Sequence, residues 1–239
     1  MTVNTNSDSL LKVAVVGYGN IGRFVVEALE EAPDMIVAGI VRRSIPEEKP
    51  LELTPYKVTT DISELGDVDV AILCTPTRSV ESFALDFLKR GIATVDSFDI
   101  HGLIPALRKT LGEAARNAGT TAVISAGWDP GSDSVVRALM QACAPKGLTY
   151  TNFGPGMSMG HTVCVKSKPG VRNALSMTIP LGTGIHRRNV YVELEPGASL
   201  EEVARLVKED PYFASDETHV FEVDSVDNVK DMGHGVNMT

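Results

Sequence analysis

The chain has 239 residues and a formal net charge of −9. That acidic balance lacks the basic footprint of non-specific nucleic-acid binding, and no apolar run approaches the ~20 residues that cross a bilayer, so neither nucleic acid nor a membrane is an expected partner. The opening MTVNTNSDSL has no basic segment followed by an apolar one, which argues against a signal peptide and for a cytoplasmic location.

Leu11–Val16 (LKVAVV) predicts a buried strand that runs into Gly17-Tyr18-Gly19-Asn20-Ile21-Gly22. RFVVEALEEAP follows, with Phe24, Val25, Ala28 and Leu29 at helical spacing and Pro33 just beyond. MIVAGIV (35–41) is a near-continuous apolar run, as suits a strand buried on both faces of a parallel sheet. VDVAILC, IATVDSF and TTAVISAG read as further strands, with SVESFALDFLKRG and PALRKTLGEAARNAG as helices between them. This alternation predicts an α/β fold, a Rossmann-type doubly wound parallel sheet.

From about Trp128 the pattern changes. A helix-like SDSVVRALMQACA leads into NFGPGMSMGH, expected to be a glycine- and methionine-rich loop. In NVYVELE, Val190, Val192 and Leu194 alternate with Tyr191, Glu193 and Glu195, which predicts a half-solvated antiparallel strand. Ser199 and Glu202 have capping-box spacing at the head of EEVARLVKED, and HVFEV is a further strand. A domain boundary is therefore expected near Gly127, with residues 1–127 binding a dinucleotide and an α+β domain over 128–239. Cys74, Cys143 and Cys164 show no CxxC or Cys/His ligand spacing, so reduced core thiols are expected, with neither a disulfide framework nor a zinc site.

Gly17, Gly19 and Gly22 match the dinucleotide fingerprint in its required context, after a strand and before a helix. The first glycine permits a tight turn, the second lets backbone approach a pyrophosphate, and the third lets helix and strand pack closely. An NAD site usually has Asp or Glu about 20 residues on. Here that point reads Ile40-Val41-Arg42-Arg43-Ser44, and the two guanidiniums suit a 2′-phosphate, which favours NADP. Thr75, Pro76 and Thr77 follow the VDVAILC strand, where Thr hydroxyls can meet phosphate or ribose or simply form a turn.

Asp99 and Asp129 both follow strands at the edge where α/β active sites lie. Asp129-Pro130-Gly131 is equally a good β-turn, Asp96 competes with Asp99, and His101 is a possible proton carrier. In order along the chain, GYGNIG, the VRR strand end, VDSFDIHG, ISAGWDPG, TNFGPGMSMGH and HGV together resemble the meso-diaminopimelate dehydrogenase family, in its thermophile-type branch. The resemblance implies a cytoplasmic homodimer of lysine biosynthesis, with residues 128–239 binding substrate and pairing the subunits. Its activity would be NADP-dependent oxidative deamination of meso-diaminopimelate at the D-centre to L-2-amino-6-oxopimelate and ammonia, reversible as reductive amination.

Carried over residue by residue, the resemblance puts Asp99 and Asp129 at the reacting centre and makes Trp128 a wall of the pocket. Phe153, Met159 and Gly160 would line the substrate loop, and Thr178, Arg188 and His234 would hold carboxylates and the distal end. A zwitterionic amino acid needs both signs of charge, so these residue types suit it; Asp99 is the candidate base or water-orienting group. Arg187 competes with Arg188, and Met157 and Met159 suit packing as well. The family's chains continue beyond the equivalent of Thr239; either the sequence is a piece of a longer chain or this is a variant without that segment, and only in the second case are an exposed sheet edge and uncovered apolar surface expected. A non-catalytic NADP-binding protein and a broader D-amino-acid dehydrogenase stay open as alternatives.

Overall fold

Short runs rich in Val, Ile, Ala and Leu build the first sheet of the computed structural model, which describes residues 10–45, 50–147, 151–153, 156–182, 185–229 and 236–238. They form β1 (Leu11–Val16), β2 (Met35–Val41), β3 (Val58–Thr59), β4 (Val70–Leu73), β5 (Ala93–Asp96) and β6 (Ala122–Val123). The spatial order is β3-β2-β1-β4-β5-β6, every pair parallel, which is the order of dinucleotide-binding folds. The intervening helices are α1 (Asn20–Glu30), α2 (Thr77–Lys89) and α3 (Ile104–Ala118). They cover both faces, which is why β1 shows no polar alternation. Ala14 and Val16 pack with Ala71 and Leu73 under Val80, Leu88, Leu107 and Leu111 of α2 and α3. Val13 and Val15 pack on the other face with Val26 and Leu29 of α1.

Two details differ from the sequence expectations. α1 buries Gly22, Val26 and Leu29, while Phe24 and Ala28 face solvent; the helix docks by its glycine face, and Phe24 lies under the Arg23 guanidinium at 5.0 Å. The last strand is also shorter than TTAVISAG, because Ser125 adopts φ 56° and its N–H goes to a side chain, leaving the ladder.

The chain divides into two compact units, Met1–Leu139 and Met140–Thr239. The division falls within α4 (Ser132–Cys143), whose start is anchored by the buried Asp133 and whose Val135, Val136 and Leu139 are exposed. NFGPGMSMGH is not one loop: it contributes to β7 (Thr151–Phe153), β8 (Gly156–Met157) and the start of α5 (Met159–Lys166). A strand the periodicity missed, β9 (Val171–Gly182), follows. Its faces are both covered, Ala174 on one side and Leu175 and Met177 on the other, so no simple alternation marks it. Then come β10 (Ile185–Leu194), α6 (Leu200–Lys208), β11 (Glu217–Glu222) and β12 (Val236–Met238).

The second unit's main sheet has the order β11-β10-β9-β8, and β12 pairs with β7. β10 is antiparallel to β9 and parallel to β11. It is not half-solvated: Val190 and Val192 are fully buried, and Tyr191 packs with Leu175, Met177 and Val226. Ser199 caps α6 without a side-chain hydrogen bond, and the Glu202 carboxylate turns to the Arg205 guanidinium through two contacts, so the capping box is not formed. Of the three cysteines Cys164 is buried and Cys74 half-buried, but Cys143 is exposed at the end of α4, so a core role does not extend to it.

Glu193 rivets this unit. Its Oε1 accepts from the Val226 N–H at 2.8 Å and Asn173 Nδ2 at 3.3 Å, and its Oε2 meets Arg172 at 3.1 Å. The Val226 N–H, with help from Arg172 and Asn173, holds the carboxyl below the ordinary glutamate range against the opposing effect of burial. A lowered folded value means the contribution to stability is full above the ordinary range. It disappears as pH falls through the folded value. Urea melts between about pH 5 and pH 3 should therefore show a shallower loss of stability for Glu193→Gln than for the parent.

Candidate active site

The carboxyl edge of the parallel sheet gathers the first group of candidates. Gly17 follows β1 at φ 96° and donates its N–H to the Val41 carbonyl at 2.8 Å. A Cβ on Gly17 would strike the Cys74 carbonyl oxygen, and one on Gly22 would strike the Gly17 carbonyl oxygen. Gly19 is different. Its φ of −106° suits any residue, and a Cβ there would meet nothing within 4 Å. The first and third glycines serve chain packing, whereas the second leaves open space at the amino end of α1, where unpaired N–H groups suit a pyrophosphate. The loop therefore fits a dinucleotide.

Around it, Tyr18 packs beside the α1 layer, and its phenol is raised above the ordinary tyrosine range by burial first and Glu52 second. Asn20 and Ile21 are exposed in the first turn of α1. Arg42 follows β2, half-buried, with its N–H on the Thr59 carbonyl at 2.8 Å, and Arg43 is exposed. Thr75 Oγ1 is buried with no hydrogen-bond partner among the described residues, which leaves it available to a ligand. Pro76 caps α2, and Thr77 Oγ1 accepts from the Asp99 N–H at 3.3 Å. Burial pushes the Cys74 thiol up to about 11, so it is no thiolate nucleophile at neutral pH.

The two carboxylates of DSFD have separate duties. Asp99 is exposed, whereas Asp96 is 1% exposed. Asp96 Oδ1 accepts from the Phe98 N–H at 2.9 Å and the Ser125 N–H at 3.0 Å, while its carbonyl accepts from the Ala126 N–H at 2.7 Å. It thus ties the loop bearing Asp99 to the loop bearing Trp128 and Asp129. Trp128 is 50% exposed and Asp129 half-buried. The GWDPG turn closes tightly: Asp129–Pro130 is cis, and a Cβ on Gly131 would strike the Gly127 carbonyl oxygen. His101 is exposed in the short turn before α3.

In the second unit Thr178 and Arg188 are register partners on β9 and β10. Arg188 Nη1 donates to Thr178 Oγ1, and Nε donates to Asp216 Oδ2 at 2.6 Å. Arg187 points elsewhere, to Glu217 at 3.1 Å. Gly160 lies against Tyr212, whose hydroxyl would sit 3.0 Å from a Cβ there. Met157 packs with Leu175 and Met177. His234 lies outside the described residues, as do the side chains of Phe153 and Met159.

Sequence reasoning missed Asp216 and His161 and left Asp96 as a mere rival to Asp99. His161 Nε2 donates to the Tyr212 carbonyl at 2.9 Å, so its Nδ1 accepts from Ser158 Oγ at 2.8 Å. An Asp two residues before a potential N–H donor is a legible local signal for Asp96. Asp216 had none, because its partner is 28 residues away.

Models of known families match both halves: residues 17–124 fit the NAD-binding domain of homoserine dehydrogenase, and residues 127–187 fit the diaminopimelic acid dehydrogenase C-terminal domain. A meso-diaminopimelate D-dehydrogenase of Bacteroides fragilis is 64% identical over 229 residues, covering 96% of this chain and 77% of that one. The chain belongs to the meso-diaminopimelate D-dehydrogenase family. A relative from Ureibacillus thermosphaericus is 32% identical, covering 95% of this chain and 76% of its own. Two solved structures align at 96% of this chain and 77% of theirs. One is an engineered D-amino acid dehydrogenase bound to NADP+ (TM-score 0.80, 28% identity), the other the C. glutamicum DAP dehydrogenase in complex with DAP (TM-score 0.78, 30% identity). This family member is an oxidoreductase of the diaminopimelate dehydrogenase type that uses a nicotinamide dinucleotide.

Substitutions at three residues test this geometry. Gly19→Ala should fold with parental stability yet bind its reduced nicotinamide dinucleotide about tenfold or more weakly, whereas Gly22→Ala should lose about 1–3 kcal/mol in urea unfolding. Asp96→Ala, which orphans two buried N–H groups, should lose about 2–4 kcal/mol; Asp96→Asn retains an acceptor and should lose less by the same measurement.

Proposed function

We propose that this chain oxidises meso-diaminopimelate at its D-centre with NADP, giving L-2-amino-6-oxopimelate, ammonia and NADPH, reversibly as reductive amination. What carries the reading is that five loops leave one carboxyl edge: the glycine loop, Arg42–Arg43, Thr75–Thr77, the Asp99 loop and the Trp128–Asp129 loop. NADP is favoured over NAD because the end of β2 offers Arg42 and Arg43 to a 2′-phosphate and no carboxylate to a ribose. Residues 1–127 would bind the dinucleotide, and residues 128–239 the substrate and, in a homodimer, the partner subunit.

The substrate amine has to be neutral before the hydride leaves its carbon. Asp99, exposed at the edge, takes that proton directly or through a water, and Asp129 holds the incoming ammonium. Trp128 presents its half-exposed ring as a wall that positions the α-carbon and excludes water. NADP, when bound, accepts the hydride. The imine left on the substrate then adds water and releases ammonia. By the family likeness, Phe153, Met159 and Gly160 would line the substrate loop, while Thr178, Arg188 and His234 would hold the distal end. The product and its reverse reaction suit lysine biosynthesis.

One assay series tests this: reduction of NADP and of NAD is followed with meso-, L,L- and D,D-diaminopimelate and with D-alanine. The expected result is strong preference for the meso isomer and for NADP, with Arg42→Ala/Arg43→Ala raising the KM for NADP far more than for NAD. Faster turnover of D-alanine would favour a broad D-amino-acid dehydrogenase, and equal effects of the arginine changes on both cofactors would remove the NADP assignment.

A further inference from the structure

We propose that His161 is a positioning residue for the substrate: it fastens the first turn of α5, which carries Met159 and Gly160, to the turn at 210–213. The inference rests on the functional reading above, in which Met159 and Gly160 line the substrate loop, and assigns what holds that loop in place. α5 has eight residues, too few to hold a helix by its own hydrogen bonds, so the place of its first turn is set by what packs on it. Its N-cap, Ser158, makes no side-chain cap to the helix. The Ser158 hydroxyl donates instead to His161 Nδ1 at 2.8 Å, while the Ser158 N–H goes to the Ser176 carbonyl of β9 at 2.8 Å.

His161 carries the fastening onward. Its Nε2 donates to the Tyr212 carbonyl at 2.9 Å, and a carbonyl can only accept, so a ring proton is fixed on that nitrogen. The ring stands edge-on to Tyr212 and Phe213, with centroids 4.6 Å and 4.8 Å away. Phe213 is buried in the core of the unit, so the imidazole leans on a residue that does not give way. The 210–213 turn is held in its own right. Asp210 Oδ1 accepts from the Tyr212 N–H at 2.8 Å, and Oδ2 accepts from Lys168, just past the far end of α5, at 2.6 Å. That turn therefore ties α5 at both ends. The Tyr212 side chain also lies over Gly160, where a Cβ would stand 3.0 Å from the hydroxyl and 3.4 Å from the ring.

An imidazole suits this place because one neutral side chain supplies an acceptor on its near nitrogen and a donor on its far one. The two bonds do different things. The bond to Ser158 spans three residues within the same helical turn and moves with it. Only the bond to Tyr212 crosses to a separate segment, 51 residues on. It is this second bond that fixes the first turn of α5 against the rest of the unit. Groups that orient a substrate lose effect when displaced by as little as about 1 Å, so His161 acts on the substrate through the turn it holds, without touching it.

Amide variants separate the two bonds, because Gln extends its nitrogen to the place of Nε2 whereas Asn reaches only the place of Nδ1. KM and kcat for meso-diaminopimelate are measured at saturating NADP, beside the Kd for NADPH. His161→Asn should raise KM roughly tenfold or more, with kcat within about threefold of the parent and the Kd for NADPH unchanged. His161→Gln and Ser158→Ala should each stay within about threefold of the parental KM. Glu193→Gln, which weakens the same unit away from α5, should leave KM unchanged. A folded His161→Asn with the parental KM overturns the proposal. So does a rise in His161→Gln or Glu193→Gln as large as that in His161→Asn, since loss of stability alone would then account for it. A tenfold rise in Ser158→Ala overturns it even where His161→Asn fails to fold, because the local bond would then be the one that matters. If the parent oxidises meso-diaminopimelate in those cases, only the role of His161 is lost. If the parent does not oxidise it, the functional reading falls and takes the positioning role with it.

Discussion

The carboxylate of Asp96 is the fastening on which the catalytic edge depends. A parallel sheet delivers its loops to one edge but does not hold them in register with one another. Here a single buried oxygen accepts N–H groups from Phe98 and Ser125, on two different loops, and the backbone carbonyl of the same residue takes a third from Ala126. Those bonds end β6 after two residues and turn the chain toward Trp128 and Asp129. Charge-assisted acceptance of backbone N–H groups is stronger than neutral pairing. An aspartate suits this place because its short side chain reaches both loops from a strand end.

The glycine loop works by the same economy of space. Gly17 and Gly22 are locked against carbonyl oxygens, so the turn and α1 have one docking arrangement. Gly19 alone leaves room, and that room lies at the amino end of a helix. The structural glycines thus make the site rigid, while the ligand-facing one makes it accessible. The second unit uses charge where the first uses shape. Glu193 is satisfied on both oxygens and holds strands to a turn, and Arg188 joins β9 to the turn before β11 through Thr178 and Asp216.

How far each part was legible depends on the range of the interaction. The βαβ order, the glycine fingerprint and the arginines following β2 are local patterns, and they pointed to the dinucleotide fold directly. α1 was legible as a helix, but its buried face was not, because Gly22 rather than Phe24 sets the docking. NFGPGMSMGH looked like a loop because its strands are too short to show a period. β9 escaped because it is covered on both faces and carries Pro180. Ser199 and Glu202 had the spacing of a capping box, yet the Glu202 carboxylate turns to Arg205.

The sequence by itself determined the class of fold, the dinucleotide loop, the family and the two acidic loops, since each is written in contiguous residues whose spacing matches a single backbone geometry. Only the tertiary structure decided which aspartate of DSFD is buried, which of two adjacent arginines turns inward, and which fingerprint glycine faces open space. Those choices depend on partners 28 or 29 residues away, or on the space left between packed elements. Local pattern carries no record of such distances, because it is packing that brings the groups together and excludes the water that would otherwise compete for them.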